Sequence, residues 1–484
     1  MNYKAVRNLI GKILMIVGAL MILPLFVALI ENEGWQNYLA FLVPIAALEI
    51  CGLLLRIKTN KSTNFQAKEA FVIVGLSWLL MTLFGALPFV ISGDIPNFVD
   101  AIFETASGFT TTGASILTDI EATTKSALFW RSFTNWIGGM GVLVFVLAII
   151  PESKQGAAVF LLKAESPGPQ VNKLVSKMRF SARILYLIYI GLTILEFIFL
   201  LFGKMEIFEA ITLSFSTAGT GGFSILNTSV ASANAFCQYV IAIFMIIFGI
   251  NFSLFYFILI GRSKEFFKSE ELRVYLGIVF FSTIIIILNT LPLYHNFESN
   301  FRTAFFQVSS IITTTGFTTY NYELWPSFSR AILFFLMLIG ACAGSTAGGL
   351  KISRIIILVK SSANSLSRAV NPRKVKQIKF ENKALPNETV NAVLAYFVIY
   401  MGIIFIVGLI VSLDGYDLLT NFSASVACIS NVGPGFKLVG PSGNYAIFGT
   451  LSKLSLSLEM ILGRLELFPI LILFNPKTWI NGRW

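Results

Sequence analysis

Four short stretches hold the residues best suited to chemistry. They are Thr110-Thr111-Thr112-Gly113, Gly219-Thr220-Gly221-Gly222, Thr313-Thr314-Thr315-Gly316 and Val432-Gly433-Pro434-Gly435. Each has three mostly small residues, then a glycine, then an apolar residue (Ala114, Phe223, Phe317, Phe436). The chemistry this pattern offers is cation desolvation, because glycine tolerates positive φ and lets the preceding carbonyls face a ligand. A ring of such carbonyls replaces the water around a potassium ion. The Thr110 and Thr313 hydroxyls add oxygen at the inner mouth, which Gly219 and Val432 cannot. One such stretch alone would be a helix-ending turn, whereas four of them, the final glycines 109, 94 and 119 residues apart, make a repeat. Two registers stay open: the second stretch can end at Gly219 instead of Gly222, and the fourth at Gly433 instead of Gly435.

A second unusual stretch is Gly340-Ala-Cys-Ala-Gly344-Ser345-Thr346-Ala-Gly348-Gly349. Each glycine costs a helix about 1 kcal/mol against alanine, so an otherwise helical run is expected to break here. Beneath the third stretch it would obstruct a pore as a gate; the other reading is close helix packing through small residues. It lacks the spacing and lysine of a phosphate-binding loop. Arg464, deep in the last apolar run, either lines the pore beside that gate or pairs with Glu466, Glu459 or Glu196.

The elements that must position these residues follow from composition. The 484 residues are 56% hydrophobic and 13% charged, with 46 Phe. That is too apolar and too poor in charge for a soluble domain. Ten runs approach the roughly 20 residues a spanning helix needs: Ile10–Ile30, Trp35–Leu55, Ala70–Ser92, Ser126–Ile150, Ile184–Gly203, Phe236–Ile260, Val274–Leu291, Phe328–Val359, Val390–Leu413 and Leu451–Phe474. Of the 36 Lys and Arg, 28 fall on one side of this arrangement, which makes that side cytoplasmic and puts both ends of the chain there. The basic start, Met1–Lys12, reads as a retained first helix and not as a cleaved signal peptide. Cys51, Cys237, Cys342 and Cys428 lie in or beside apolar runs without a CxxC pair, and His295 is the single histidine, expected in an exposed loop.

All four glycine stretches then fall in outer connections, each after a segment too short to cross: Asp100–Phe109, Phe208–Ala218, Arg302–Ile312 and Leu419–Asn431. Their partly negative helix C-termini would aim at the pore centre and favour a cation. The expected fold is an all-α polytopic membrane protein with ten transmembrane helices. Four helix–re-entrant loop–helix repeats (69–165, 166–268, 269–383 with the gate loop, 384–484) surround a pseudo-fourfold pore, after an N-terminal two-helix hairpin (1–68). Two spans per repeat keep all four in one orientation, unlike the inverted repeats of rocking transporters. The net charge of +11 reflects topology and leaves no nucleic-acid footprint. No nucleophile–base pair, metal set or phosphate loop supports an enzyme.

With Trp136-Ile-Gly-Gly-Met-Gly141, Ser166-Pro-Gly-Pro169 and Gly344-Ser-Thr-Ala-Gly-Gly-Leu-Lys-Ile-Ser-Arg354, nearly the whole chain resembles the Trk/Ktr/HKT potassium transporter superfamily, in its TrkH membrane-subunit branch. The resemblance implies potassium selectivity, a homodimer in the bacterial inner membrane, and a cytosolic ring of nucleotide-binding (TrkA-like) subunits that controls the gate. Any nucleotide would act through that partner, since this chain carries no nucleotide motif. In the superfamily a serine at the first filter glycine goes with sodium permeation; this chain has Gly113. Lys351–Lys383 and Pro151–Arg183 are the candidate docking segments. The leading expectation is a gated, channel-like potassium-uptake subunit driven by the membrane potential. A secondary transporter coupling potassium to protons or sodium is the alternative, with Glu49 and Glu196 as titratable residues in spans.

Overall fold

The computed structural model describes residues 1–57, 67–141, 178–371 and 377–479. Residues 58–66, 142–177, 372–376 and 480–484 lie outside them, and with them the Ser166–Pro169 motif and most of the expected docking segment Pro151–Arg183.

The chain opens with α1 (Tyr3–Leu20) and α2 (Ile22–Ile30), which form one 28-residue apolar span, and α3 (Trp35–Arg56) returns beside them. Two glycines set this contact. A Cβ on Gly11 would stand 2.6 Å from the Gly52 carbonyl oxygen, and one on Gly52 would stand 2.8 Å from that of Gly11. Small residues let backbones approach where lipid supplies no hydrophobic drive.

From there a fixed order recurs: a long helix, a helix of about half to three-quarters that length, an irregular loop and a helix that stops early. Its first instance is α4 (Ala67–Ser92), α5 (Phe98–Phe109) and α6 (Lys125–Gly139). The second is α7 (Met178–Phe202), α8 (Ile207–Gly219) and α9 (Ala235–Phe248), followed by α10 (Phe252–Leu259) and α11 (Ser263–Lys268). The third is α12 (Glu270–Thr290), α13 (Phe297–Ile312) and α14 (Ser327–Ile339), resuming as α15 (Ile352–Val370). The fourth is α16 (Asn387–Val411), α17 (Leu418–Ile429) and α18 (Thr450–Arg464), resuming as α19 (Phe468–Phe474). Between α15 and α16 a short hairpin pairs β1 (Lys379–Phe380) with β2 (Lys383–Ala384), Phe380 opposite Lys383.

Among the described residues six helices are long and apolar enough to cross a membrane, and the α9–α10 pair, bent by 93°, would make a seventh. The runs expected as unbroken spans differ for identifiable reasons. In the fourth run α6 ends at Gly139, and residues 142–150 lie outside the described residues. The sixth run turns at Gly249–Asn251, where the Asn251 side chain accepts the Ser253 N–H at 2.9 Å and starts a new helix. The eighth breaks at Gly340, whose φ of +72° no α-helix accommodates. The tenth breaks at Leu465–Leu467, where Glu466 and Leu467 take φ of +53° and +69°, and α19 starts afresh with Pro469 in its first turn, where a missing N–H costs no helical bond.

Candidate functional site

The half-length helices α5, α8, α13 and α17 run for 12, 13, 16 and 12 residues, or about 18–24 Å at 1.5 Å per residue. Asn97, Asn296 and Asp417 cap three of them by accepting a backbone N–H. All four end in the same way. Thr111, Thr220, Thr314 and Asn431 take left-handed φ of +55°, +53°, +57° and +56°. The next residue then reaches back five positions: Thr112 N to Ser107 O at 2.9 Å, Gly221 N to Ser216 O at 2.8 Å, Thr315 N to Ser310 O at 2.9 Å and Val432 N to Ala427 O at 2.9 Å. After it comes a glycine at positive φ: Gly113 (+79°), Gly222 (+72°), Gly316 (+83°) and Gly433 (+96°). Three threonines at positive φ are strained, and strain of this kind gathers at functional sites.

These turns make one ring. A Cβ added to Gly113 would lie 2.3 Å from the Gly221 carbonyl oxygen, on Gly222 1.9 Å from that of Thr315, on Gly316 2.1 Å from that of Val432, and on Gly433 2.5 Å from that of Thr112. Each glycine therefore rests on the carbonyl that precedes the glycine of the next loop, and the cycle closes in chain order. In the second loop the ring glycine is Gly222. In the fourth it is Gly433, two residues before Gly435, and the four members of that loop are Ser430, Asn431, Val432 and Gly433. The rule that an apolar side chain follows the glycine misleads there because Pro434 follows Gly433. Gly435 lies outside the cycle: its N–H donates to Val439 O at 2.8 Å and its carbonyl accepts from Tyr322 Oη at 2.8 Å.

Hydroxyl oxygens flank the ring. Thr110 and Thr313 donate to Ala106 O and Ser309 O, each at 2.6 Å, and touch the hydroxyls of Thr112 and Thr315 at 2.7 and 2.8 Å. The matching place in the fourth loop belongs to Ser430, 2.7 Å from Tyr400 Oη; Gly219 alone of the four has no hydroxyl there.

The bracing behind the loops was not read from the sequence. Glu104 on α5 and Arg131 on α6 form a fully buried ion pair at 2.8 Å. Glu104 also accepts from Ile116 N at 2.9 Å and Ser115 Oγ at 3.0 Å, and Arg131 donates to Ser224 O at 3.1 Å and stacks over Phe223 at 4.1 Å. The pair thus ties the strand after the first loop to the strand after the second. Asn431 Nδ2 joins the fourth loop to the first through Thr112 Oγ1 at 3.0 Å, while Tyr445 donates from its hydroxyl to Gly433 O at 2.7 Å and from its N–H to Ser115 O at 2.9 Å. An acidic residue inside an apolar half-helix, with an arginine inside the next apolar run, was the available signal. Farther out, the Asn227 amide donates to Asp119 at 2.9 Å and holds that carboxyl below its usual range.

Below the ring, residues 340–351 fill the space between α14 and α15. Gly348 N donates to Thr314 Oγ1 at 2.7 Å, and a Cβ there would lie 2.3 Å from Ser430 O. Gly340, Gly344 and Gly349 take φ of +72°, +73° and +74°. The α9–α10 break holds this segment through Cys342 N to Gly249 O at 3.1 Å and Phe252 N to Gly344 O at 3.0 Å. Ser345 closes an internal turn onto Cys342 O at 2.6 Å, and Thr346 Oγ1 reaches Phe248 O at 3.3 Å. Arg464 donates to Thr346 O and to the Gly138 and Gly139 carbonyls at the end of α6. Of its expected acidic partners, Glu466 pairs with Arg354, and Glu459 accepts from Ser425 Oγ at 2.7 Å.

The molecule is a mostly helical, polytopic membrane protein whose buried loops converge on one axis. A family model described as "TrkH: Cation transport protein" matches residues 36–481. The chain is 37% identical to "Trk system potassium uptake protein TrkH" of Escherichia coli (strain K12), covering 99% of this chain and 100% of that protein. It is 30% identical to that strain's "Trk system potassium uptake protein TrkG", covering 99% of each. It superposes on the crystal structure of the potassium transporter TrkH from Vibrio parahaemolyticus with a TM-score of 0.88 and 32% identity, covering 99% of this chain and 100% of that one. The chain belongs to the TrkH family.

Two outcomes follow from this geometry. Arg131→Ala leaves Glu104 buried and unpaired, and thermal unfolding in detergent should register a loss of about 3–5 kcal/mol; a wild-type melting curve would contradict the bracing role. Gly433→Ala should impair cation flux in reconstituted vesicles as severely as Gly113→Ala, with Gly435→Ala milder; the reverse order would restore the register ending at Gly435.

Proposed function

We propose that the chain carries potassium inward as a gated, channel-like subunit of an uptake system, driven by the membrane potential. The cyclic contact of each loop glycine with the next loop's carbonyl supports this reading most strongly. It puts backbone oxygens of four loops around one axis, at the C-terminal ends of four helices, where the partial charge is negative. The names of the relatives agree in the cargo. Thr110–Gly113, Gly219–Gly222, Thr313–Gly316 and Ser430–Gly433 form the filter in this proposal. The 340–349 segment with Arg464 is the gate, since an arginine under a cation path repels the ion and the segment obstructs it. One charge moved through 100 mV releases about 2.3 kcal/mol, enough to drive uptake without hydrolysis.

The same reading carries the ten-span topology, the four pore repeats after the N-terminal hairpin, both ends on the cytoplasmic face of a bacterial inner membrane, and a homodimer. It also assigns control of the gate to a cytosolic nucleotide-binding subunit. Coupled transport with protons or sodium is the second reading. The four loops contain no titratable side chain, which favours the channel; Glu196 and Glu459, buried in spans, are where coupling would reside.

Gly113→Ser should lower selectivity for potassium over sodium in reversal-potential measurements, because a side chain at +79° has only the Gly221 carbonyl to meet. Unchanged reversal potentials would refute the filter assignment. Reconstituted flux at fixed voltage should not depend on a proton gradient; a strict requirement for one would decide for the symporter.

A further inference from the structure

The 340–351 segment touches α9–α10, the ring and Arg464, all at membrane depth. One further attachment leads out of the membrane. Glu271, buried in the first turn of α12, accepts two backbone N–H groups on the same oxygen: Ala343 N at 2.7 Å and Ser353 N at 3.0 Å. Ala343 lies inside the segment and Ser353 in the first turn of α15, so one carboxylate oxygen ties the segment's inner bend to the helix that resumes after it. The α15 N-terminus adds its own attraction for a negative group.

The same turn of α12 is held in place by the cytoplasmic hairpin. Phe380 pairs with Lys383, leaving Glu381 and Asn382 as a two-residue turn with φ of +49° and +60°, the pattern of a type I′ connection. Phe380 is buried. Glu381 accepts from Ser269 Oγ at 2.7 Å and from the Glu271 backbone N–H at 3.2 Å, and its own N–H donates to Glu270 at 3.3 Å. Lys360, on α15, pairs with Glu270 and donates to Lys379 O at 2.8 Å. Hairpin, α12 and α15 are thereby joined, through Glu381 and Glu270 at Ser269–Glu271 and through Lys360 at Lys379.

We propose that Glu271 is the latch of the 340–349 segment, and that the hairpin 378–385 is the lever that sets the latch from the cytoplasmic side. Displacing the hairpin withdraws Glu381 from Ser269 and Glu271. The α12 turn then loses its orientation, and the Glu271 carboxylate releases Ala343 and Ser353 together. Glu271 is a positioning residue that touches no ion. The proposal rests on the gate reading above.

The test uses the full chain in potassium-loaded vesicles, with tracer rubidium uptake and alkylation of native Cys342 as parallel readouts. Cys342 is fully buried beside Ala343, and Cys428, equally buried on α17, is the internal control. Glu271→Ala should raise uptake and Cys342 alkylation roughly tenfold or more, the scale of two lost hydrogen bonds of ordinary net strength, while Cys428 stays protected and ion selectivity stays wild type. Glu271→Gln, which keeps an acceptor oxygen, should fall between. Glu381→Ala, outside the spans and safe for folding if Glu271→Ala does not express, should raise both readouts, and the double variant should add little to Glu271→Ala. Deleting Gly340–Gly349 separates the two claims. If the deletion raises uptake while Glu271→Ala and Glu381→Ala leave both readouts unchanged, the latch is wrong and the gate stands. If the deletion also leaves uptake unchanged with normal expression, the gate reading fails and the latch with it.

Discussion

The distance between a glycine Cα and the next loop's carbonyl governs this architecture. Four times around the ring, a backbone occupies the place where any other residue would carry its Cβ, with an oxygen 1.9–2.5 Å from that position. Carbonyl oxygens of adjacent loops repel one another, so such a cluster has to be held together from outside. The surrounding protein does this with its strongest bonds. A buried Arg131–Glu104 pair joins the first two loops, Asn431 joins the last to the first, and left-handed threonines absorb the backbone strain. Irregular backbone at membrane depth is tolerated only when enclosed by protein or lining a cavity, and the ring loops are buried in the protein.

Directly under that ring the charge logic reverses. Helix C-termini and carbonyls make the axis attractive to a cation, yet Arg464 places a guanidinium among the carbonyls of Thr346, Gly138 and Gly139. Those oxygens are the open ends of a broken helix and of a glycine-rich turn. The arginine satisfies them in place of water, which explains how a charged side chain is accommodated in the last apolar run. The breaks after α6, α9 and α14 serve the same purpose: each frees carbonyls or N–H groups that a neighbouring repeat then uses.

Much of this was legible in the sequence. Four glycines after half-length apolar segments announced the repeat, and the glycine count at 340–349 announced a break. What escaped was set by three-dimensional neighbours. The register of the fourth loop stays open in the sequence because Ser430-Asn431-Val432-Gly433 resembles its counterparts in backbone and hardly at all in side chain. The break before Pro469 was missed because a helix-length apolar run masked it. Glu104 is one acid in an apolar segment and Arg131 one arginine in the next apolar run, and no local pattern joins two residues 27 apart. Arg464 was read as lining a pore or pairing with an acid, and its carbonyl partners come from elements more than 100 residues away, which no local pattern reveals.

Because each loop glycine rests on the loop that follows it, and the fourth rests on the first, the ring is a closed circuit with no partial form. The closing bond, Asn431 to Thr112, spans 319 residues. During synthesis the first three loops therefore reach the membrane with one side of the circle missing, and their carbonyls have nothing to close against. A chain interrupted before residue 433 lacks the fourth member of the ring and the contact it makes with Thr112. The ring can therefore close only after residue 433 of the 484 has been added.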